Sequence, residues 1–444
     1  MTDTNLAQRF IPLSAYLDPP ADLQPPLRED LRASVAVIGG GWTGLHAAIA
    51  LRLAGADVVL LEQRHCGYGA SGRSGGHLVG PGKEFRRLLA EPGSDTARRY
   101  GRYITDIVDE AESLLHDYGI DCDYVPSGNL FGATHPSMLT EAQALAAAAG
   151  PAGFHAEFWD ERQCRARGIP AAWIGGAYLP RGGTLHPGKY VLGLRAVALA
   201  KGVRLFENTT VARIEDGAPA VVRAAEGAVT ADTVVLATNA FTPTTLNLHK
   251  TAMAAFHIGA FETRPLATVD LETLGWPQRE GLVSLHNVIE AYRVTRHATI
   301  VANTKRIQVA YANALPTSYA PAIFEPMVQG FRDRFPGLRH LEIASLWAGW
   351  CGLTSDMLPR IGTSGRYRNV HYGFGFNGHG VAPTAAMGRA LAALAQGRRH
   401  PALEFLERKA ANWPPEPLRW LGANLFLWSL QRKDDRIDRA LRTG

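Results

Sequence analysis

A chain of 444 residues exceeds what one ordinary hydrophobic core organises, so two domains are expected. With 46% hydrophobic and 20% charged residues, the composition is globular and excludes a disordered chain. Lys plus Arg number 46 against 41 acids, a net +5 spread without a basic tract. That excludes a nucleic-acid footprint and leaves a mild bias toward anionic ligands. Cys66, Cys122, Cys164 and Cys351 form no CxxC pair, so neither a disulfide framework nor a metal site is expected. The opening MTDTNLAQRF has no basic-then-apolar signal, and no apolar run reaches the roughly 20 residues that span a bilayer. The expected location is the cytoplasm, with no integral membrane segment.

Residues 1–30 are proline-rich and read as an extended arm. VAVIGGGWTGLHAAIALRLAGADVVLLE, from Val35 to Glu62, then reads strand, tight turn, helix, strand. Gly39, Gly41 and Gly44 form GxGxxG: the first for the sharp turn, the second for close approach of a pyrophosphate, the third for helix–strand packing. Trp42 and Thr43 open a helix whose N-terminus favours phosphate. Glu62 ends the second strand near the ~20-residue offset at which a carboxylate accepts from ribose hydroxyls, with Gln63 and Arg64 beside it, and this disfavours NADP. The unit alone leaves NAD and FAD both open. A long amphipathic helix is predicted over roughly 96–118, short strands near 124–132 and a helix near 141–149. KYVLGLRAVALAKGVRLFENTTV, from Lys189, reads helix then strand, and VTADTVVLATNA is a strand entering a small-residue turn. Residues 251–312 alternate as antiparallel strands, 324–335 read as helix, and NVHYGFGFNGHGVAPTAAMGRALAALAQG reads strand, glycine loop, helix.

The loop after Glu62 discriminates between the cofactors. Gly69, Ala70, Ser71, Gly72, Arg73, Ser74, Gly75 and Gly76 spell GASGRSGG, a run that lets backbone wrap a large ligand. Here the chain resembles the D-amino-acid-oxidase-like family of FAD-dependent flavoproteins. The likeness continues through Thr210 and Val211, LATNAF with Ala237, Thr238 and Asn239, WAGWCGLTSDMLPRIG from Trp347, and GFGFNGHGV with Gly375, Asn377, Gly378, His379 and Gly380. The proline-rich arm, the GASGRSGGHL loop and the WPPEPLRWLG tail are similar to the gamma-glutamylputrescine oxidase-like branch.

The resemblance implies an α/β fold: a discontinuous, Rossmann-type, glutathione-reductase-like FAD-binding domain (31–95, 176–248 and 341–404). An antiparallel β-sheet substrate domain (96–175 and 249–340) is inserted in it, and 405–444 form a tail expected to pack on its own domain. It implies hydride transfer from the carbon beside nitrogen to flavin N5, O2 as acceptor giving H2O2, and an imine that hydrolyses to aldehyde or keto acid. The implied substrate is a small-molecule amine or amino acid bearing an anionic group; the oligomeric state is left open. A dehydrogenase passing electrons to a carrier, a non-catalytic flavin-binding module and a plain NAD dehydrogenase are the competing readings. His77 is expected beside the flavin ring, contacting substrate or capping a turn. His379 either touches the flavin or bonds loop backbone. Arg73 and Ser74 are expected to bond flavin or phosphate. Tyr292 and Arg293 lie on a strand of the substrate roof, so one of the two faces the site, Arg293 otherwise being a solvated charge. Phe376 is a wall or core residue, and Lys305 is a candidate near N5. Cys351, in C-x-x-T spacing with Thr354, resembles cysteinyl-linked members, but its neighbours match the unlinked branch better, so non-covalent FAD is expected.

Overall fold

The computed structural model describes residues 6–82, 84–242, 251–315, 317–408 and 410–443. The boundary expected near 248 lies outside them, as do the first five residues of the arm.

Leu31–Ile38 is a buried apolar strand, as a strand covered on both faces should be. It pairs in parallel with Val58–Leu61 on one side and Ala228–Leu236 on the other. Arg204–Phe206 and Val370–Phe374 extend the parallel sheet outward, and Arg360–Ser364 closes one edge antiparallel. The connecting Trp42–Leu53 helix is buried on nearly every side. It passes Pro383–Ala395 so closely that a Cβ at Gly388 would lie 2.5 Å from the His46 Cβ. The long predicted helix is found at Asp95–Asp117, capped by the Ser94 side chain accepting from the Ala97 N–H.

The second sheet is eight-stranded: Ile343–Leu353, Ala254–Thr263, Ile300–Val309, Glu290–Val294, Gly281–Ser284, Asn129–Ala133, Gly175–Leu179 and Glu157–Asp160, in spatial order. One face packs Phe261, Tyr292 and Ile300 into an aromatic core with Phe324, Phe331 and Phe335 of the Pro321–Arg334 region. Its make-up corrects the expected division of the chain. Ile343–Leu353 and Gly175–Leu179, read as parts of the first domain or its edge, are hydrogen-bonded throughout to strands of this sheet. Local pattern could not assign them, because a strand's sheet is decided by its partners.

Two terminal segments clamp these layers. The arm is not a loose extension: Leu17 and Leu27 are buried, and the Ser14 hydroxyl donates to the Gly72 carbonyl at 2.6 Å. The tail forms a helix, Leu418–Thr443. Ala423, Leu427, Asp434 and Asp438 are buried on its inner face, whereas Leu418, Leu421, Leu425, Phe426 and Trp428 are exposed on the other side. Among the described residues no helix is long and apolar enough to cross a membrane.

The tail is fastened by buried charge. Asp438 accepts from Lys305 at 2.6 Å and Arg334 at 2.5 Å, and both cations also pair with Glu290. Burial pushes both carboxyls up, but Lys305 and Arg334 outweigh it at Glu290, and the His286 side chain with Lys305 and Arg334 outweighs it at Asp438, holding both below the usual carboxylate range. Asp438→Ala strips two buried cations of a partner and should cost about 3–5 kcal/mol in denaturant unfolding. Asp435→Ala, which breaks only the half-exposed pair with Arg306, should cost under about 1 kcal/mol in the same measurement.

Candidate active site

The turn after Leu31–Ile38 is built by close approach. Gly39 has φ +107°, a left-handed conformation that side chains rarely adopt. A Cβ at Gly44 would sit 1.9 Å from the Gly39 carbonyl oxygen. Gly41 has only the Ser71 Oγ, at 3.0 Å, near its missing Cβ. Gly39, Gly41, Trp42 and Thr43 therefore present backbone to a long cavity, whereas Gly44 serves packing beneath it.

At the strand end, Glu62 accepts from the backbone N–H of Gly40 at 2.7 Å and of Arg64 at 3.0 Å. Burial raises its carboxyl to about 7, against those hydrogen bonds. Glu62 and Gln63 line the cavity together with Thr210, Val211, Ala237, Thr238 and Asn239. Arg64 does not; its guanidinium lies over the Tyr68 ring. Buried Glu207, which sequence reading missed, accepts from Arg195, the Gln24 N–H and the Cys66 N–H, tying arm and loop to this end.

The GASGRSGG loop lies between the two sheets. Gly69, Ala70, Ser71, Ser74, Gly75 and Gly76 line the cavity, and Ser71 Oγ accepts from the Trp42 N–H at 3.0 Å. Gly72 is instead a packing glycine, its missing Cβ 2.4 Å from the Gly67 carbonyl oxygen. Arg73 also borders the cavity, but its guanidinium donates to the carbonyls of Tyr68, Pro12, Leu13 and Ala348 at 2.6–3.1 Å. Protein carbonyls thus take the Nε and Nη1 donors that the sequence reading assigned to phosphate or flavin.

The second sheet supplies the opposite wall through Ile258, Gly259, Ala260, Ala291, Asn303 and Cys351. Alternation puts Ala291 on the cavity face and Tyr292 behind it. Tyr292 is buried against Trp173 and Phe335 and donates to Glu290, so it is not a site residue. Arg293 is neither solvated nor free for a substrate carboxylate: it is buried, donating to the Gly75 carbonyl at 2.6 Å and the Tyr16 hydroxyl at 3.1 Å. Lys305 is likewise withdrawn. Thr304 and Lys305 both have positive φ, where the pairing with Ala254–Thr263 slips register. Thr304 faces the cavity, and Lys305 turns into the Glu290–Asp438 network. Arg73 is thus the one Arg or Lys among the described cavity-lining residues, with Nε and three-way-shared Nη1 held by protein carbonyls.

The closing loop splits in two. Phe376, Gly378, His379 and Gly380 line the cavity at the entry to the Pro383–Ala395 helix. Gly375 and Asn377 do not: Asn377 Oδ1 accepts from the Thr354 N–H at 2.9 Å and Gly375 donates to Asn239 Oδ1 at 3.0 Å, which braces the loop. His379 spends its own N–H on the Phe376 carbonyl and has Nδ1 3.1 Å from the Asn377 carbonyl oxygen.

His77 is the polar centre of the far end. Asn129 donates through Nδ2 to the Leu78 carbonyl at 3.0 Å, so its Oδ1 faces His77 Nδ1 at 3.3 Å. An acceptor there places the proton on Nδ1 and leaves a lone pair on Nε2. Nε2 is buried without a hydrogen-bond partner among the described residues. Burial first, then the charge of Arg293, lowers the imidazole to about 4, so it is neutral at pH 7. A Cβ at Gly281 would stand 2.0 Å from Asn129 Oδ1 and 2.7 Å from His77 Nδ1, so glycine there makes the pair possible. Asn129 was not legible from sequence, since it lies far from His77 along the chain.

These features fit a dinucleotide with a flat polar ring system. A glycine cradle stands at one end, two buried unpartnered donors or acceptors (Trp42 Nε1 and His77 Nε2) border the cavity, and a helix N-terminus stands at the other end. The comparisons agree. The profile of the DAO family, described as FAD dependent oxidoreductase, matches residues 34–394. Gamma-glutamylputrescine oxidoreductase of Escherichia coli (strain K12) is 29% identical over 84% of this chain and 85% of its own length. The probable oxidoreductase OrdL of Haemophilus influenzae is 26% identical over 83% and 84%. Among solved structures, glycine oxidase from Geobacillus kaustophilus superposes with a TM-score of 0.72 at 17% identity, covering 86% of this chain and 100% of that one. L-proline dehydrogenase from P. horikoshii gives 0.68 at 20%, covering 85% and 99%.

The two glycine roles separate experimentally. Gly41→Val, whose side chain enters the cavity, should fold with an unchanged far-UV spectrum yet carry less than about a tenth of the wild-type flavin per chain. Gly44→Val, driven into the Gly39 carbonyl, should fail to give folded protein.

Proposed function

The chain belongs to the DAO family of FAD-dependent oxidoreductases, and from that premise we propose that it oxidises the C–N bond of an amine or amino acid. Bound FAD supplies the two-electron acceptor for hydride. The products of this reading are an imine, hydrolysed to aldehyde or keto acid, and H2O2 from O2. Its carrying observation is the neutral polar centre at His77 in an otherwise uncharged end of the cavity. An amine must be neutral to release hydride, because an ammonium has no lone pair to form the C=N bond. A protonated imidazole would compete for that lone pair; a neutral Nε2 accepts from an amine N–H and orients it. Asn129 is then the positioning residue, since it selects the tautomer. Phe131, Ile289 and Phe376 exclude water around the reacting carbon. The N-terminus of the Pro383–Ala395 helix, entered through Gly380, favours the negative charge that reduction brings. Tight braces from Arg73 to the Tyr68 carbonyl and from Arg293 to the Gly75 carbonyl hold this geometry.

Three measurements test the reading. An anaerobic panel of amines and amino acids should bleach the flavin absorbance, and the same substrates in air should consume O2 with stoichiometric H2O2. A panel that bleaches without O2 uptake would retain the C–N chemistry and replace O2 by a carrier; a flavin that no member bleaches would end the proposal. Second, reduction should accelerate with pH as the free amine accumulates, with no histidine limb between pH 5 and 8. Asn129→Asp sets a carboxylate beside Nδ1, which raises the imidazole by about 1–3 units. The reduction rate should then fall as pH drops through that new value, while flavin content stays unchanged.

The thiol of Cys351 borders the cavity, and burial pushes it up to about 12. A neutral thiol is a poor nucleophile, so FAD is expected to be unlinked. Acid denaturation and filtration should release all of it, equally from wild type and Cys351→Ala. Colour retained by the wild-type polypeptide and lost in the variant would establish a thioether.

A further inference from the structure

A second cavity, of about 340 Å³, meets the first at Phe131, Ile289 and His379. It runs from that junction to the inner face of the Leu418–Thr443 helix. Its walls are Phe256, Ile307, Leu353, Met357, Leu427 and Leu430. The polar groups that border it are already committed. Ser284 Oγ accepts from the Glu290 N–H, and Thr354 Oγ1 donates to the Leu358 carbonyl. Asn287 donates to Asp434. Arg86 pairs with Glu141 at 2.5 Å and donates to the Leu285 carbonyl at 2.9 Å. What remains to contact a guest is hydrocarbon. In the first cavity Arg73 is the one Arg or Lys among the described lining residues, and its Nε and Nη1 are held by carbonyls of the arm, the loop and the second sheet. The helix that closes the second cavity lies beyond residues 34–394, the span that the family profile matches.

We infer that this cavity is a substrate subsite for a large apolar substituent, and that the substrate is an amine carrying an alkyl or aryl group rather than a carboxylate. The inference rests on the amine reading above. With the amine nitrogen at His77, a chain attached to the reacting carbon passes Ile289 and His379 and enters an apolar space. Each methylene leaving water there should improve binding about fourfold. A carboxylate on the same chain would leave water for a mainly hydrocarbon wall whose one Arg or Lys among the described residues, Arg86, is already paired with Glu141, at a penalty. The helix wall, through Leu427 and Leu430, sets the length that fits.

The test uses the FAD-loaded full chain. Anaerobic flavin reduction is followed with primary alkylamines from ethylamine to octylamine, with phenylethylamine, and with ω-amino acids of matched length. The second-order rate constant for reduction should climb at least tenfold between ethylamine and hexylamine, and the ω-amino acids should fall at least tenfold below their alkyl counterparts. Leu430→Trp should flatten the series while ethylamine stays unchanged, and Leu427→Ala should move the optimum to longer chains. A rate independent of chain length, or ω-amino acids reacting faster, would overturn the inference. If no amine reduces the flavin, the parent reading fails by itself. The subsite is then read from binding of octanamide against acetamide, neutral amides whose nitrogen lone pair is delocalised into the carbonyl and cannot release hydride, through perturbation of the flavin spectrum. Preference for octanamide, abolished in Leu430→Trp, supports the subsite; equal binding overturns it.

Discussion

The structure depends on one buried cation, Arg73, that has no anionic partner among the described residues. The Arg73 guanidinium is held by four carbonyl oxygens, from Tyr68 in its own loop, Pro12 and Leu13 in the arm and Ala348 in the second sheet. The Tyr68 ring lies 5.1 Å from it. A guanidinium donates in a rigid fork, so these contacts hold loop, arm and second sheet in one arrangement. The backbone of the same loop accepts in the other direction: Trp347 Nε1 donates to the Arg73 carbonyl, and Arg293 donates to the Gly75 carbonyl. The loop therefore keeps the two sheets apart at the spacing that leaves the cavity between them. Gly75 shows how tight that spacing is, since a Cβ there would lie 1.5 Å from Asn303 Nδ2 on the facing sheet.

Most charge is organised around the cavity rather than in it. Arg73 donates through Nε and Nη1 to backbone carbonyls, Arg293 donates through Nε and Nη2 to the Gly75 carbonyl and the Tyr16 hydroxyl, and Lys305 and Arg334 are neutralised by Glu290 and Asp438 on the far side of the second sheet. Apart from Arg73 and the Glu62 carboxyl, what faces the interior is neutral: an imidazole held unprotonated by burial, amides, hydroxyls and hydrocarbon. Such an interior selects the free amine over the ammonium, because only a charged guest loses solvation without compensation there. The same network anchors the C-terminal helix, so the wall of the second cavity and the electrostatics behind the roof share Asp438 and Lys305.

Much of the first half of the site was legible in the residues themselves. Gly39, Gly41 and Gly44 impose a turn whatever surrounds them, and the apolar strands on either side need covering on both faces. The long 95–117 helix followed from its periodicity, and the glycine loops followed from composition. The roles of individual side chains were less legible. Tyr292 and Arg293 point to opposite faces of their strand, yet neither lines the cavity, because what each side chain meets is decided by the neighbouring elements. Arg73, Gly72, Asn377 and Gly375 sit within cofactor loops and serve the protein scaffold, because a loop has two sides and sequence does not label them.

Resemblance to a known family supplied the cofactor, while the sequence by itself determined the dinucleotide turn and the alternation of strand and helix. These are set by local sterics and hydrophobic period, within reach of neighbours in the chain. Only the tertiary structure decided that Asn129 selects the His77 tautomer through space cleared by Gly281. Only it placed Ile343–Leu353 in the second sheet, and turned Lys305 away from the cavity at a register slip. It also set the tail against an apolar cavity that opens toward His379. Each of these is a contact between residues distant in the chain, and its energy comes from burial and pairing that exist only once both partners are in place.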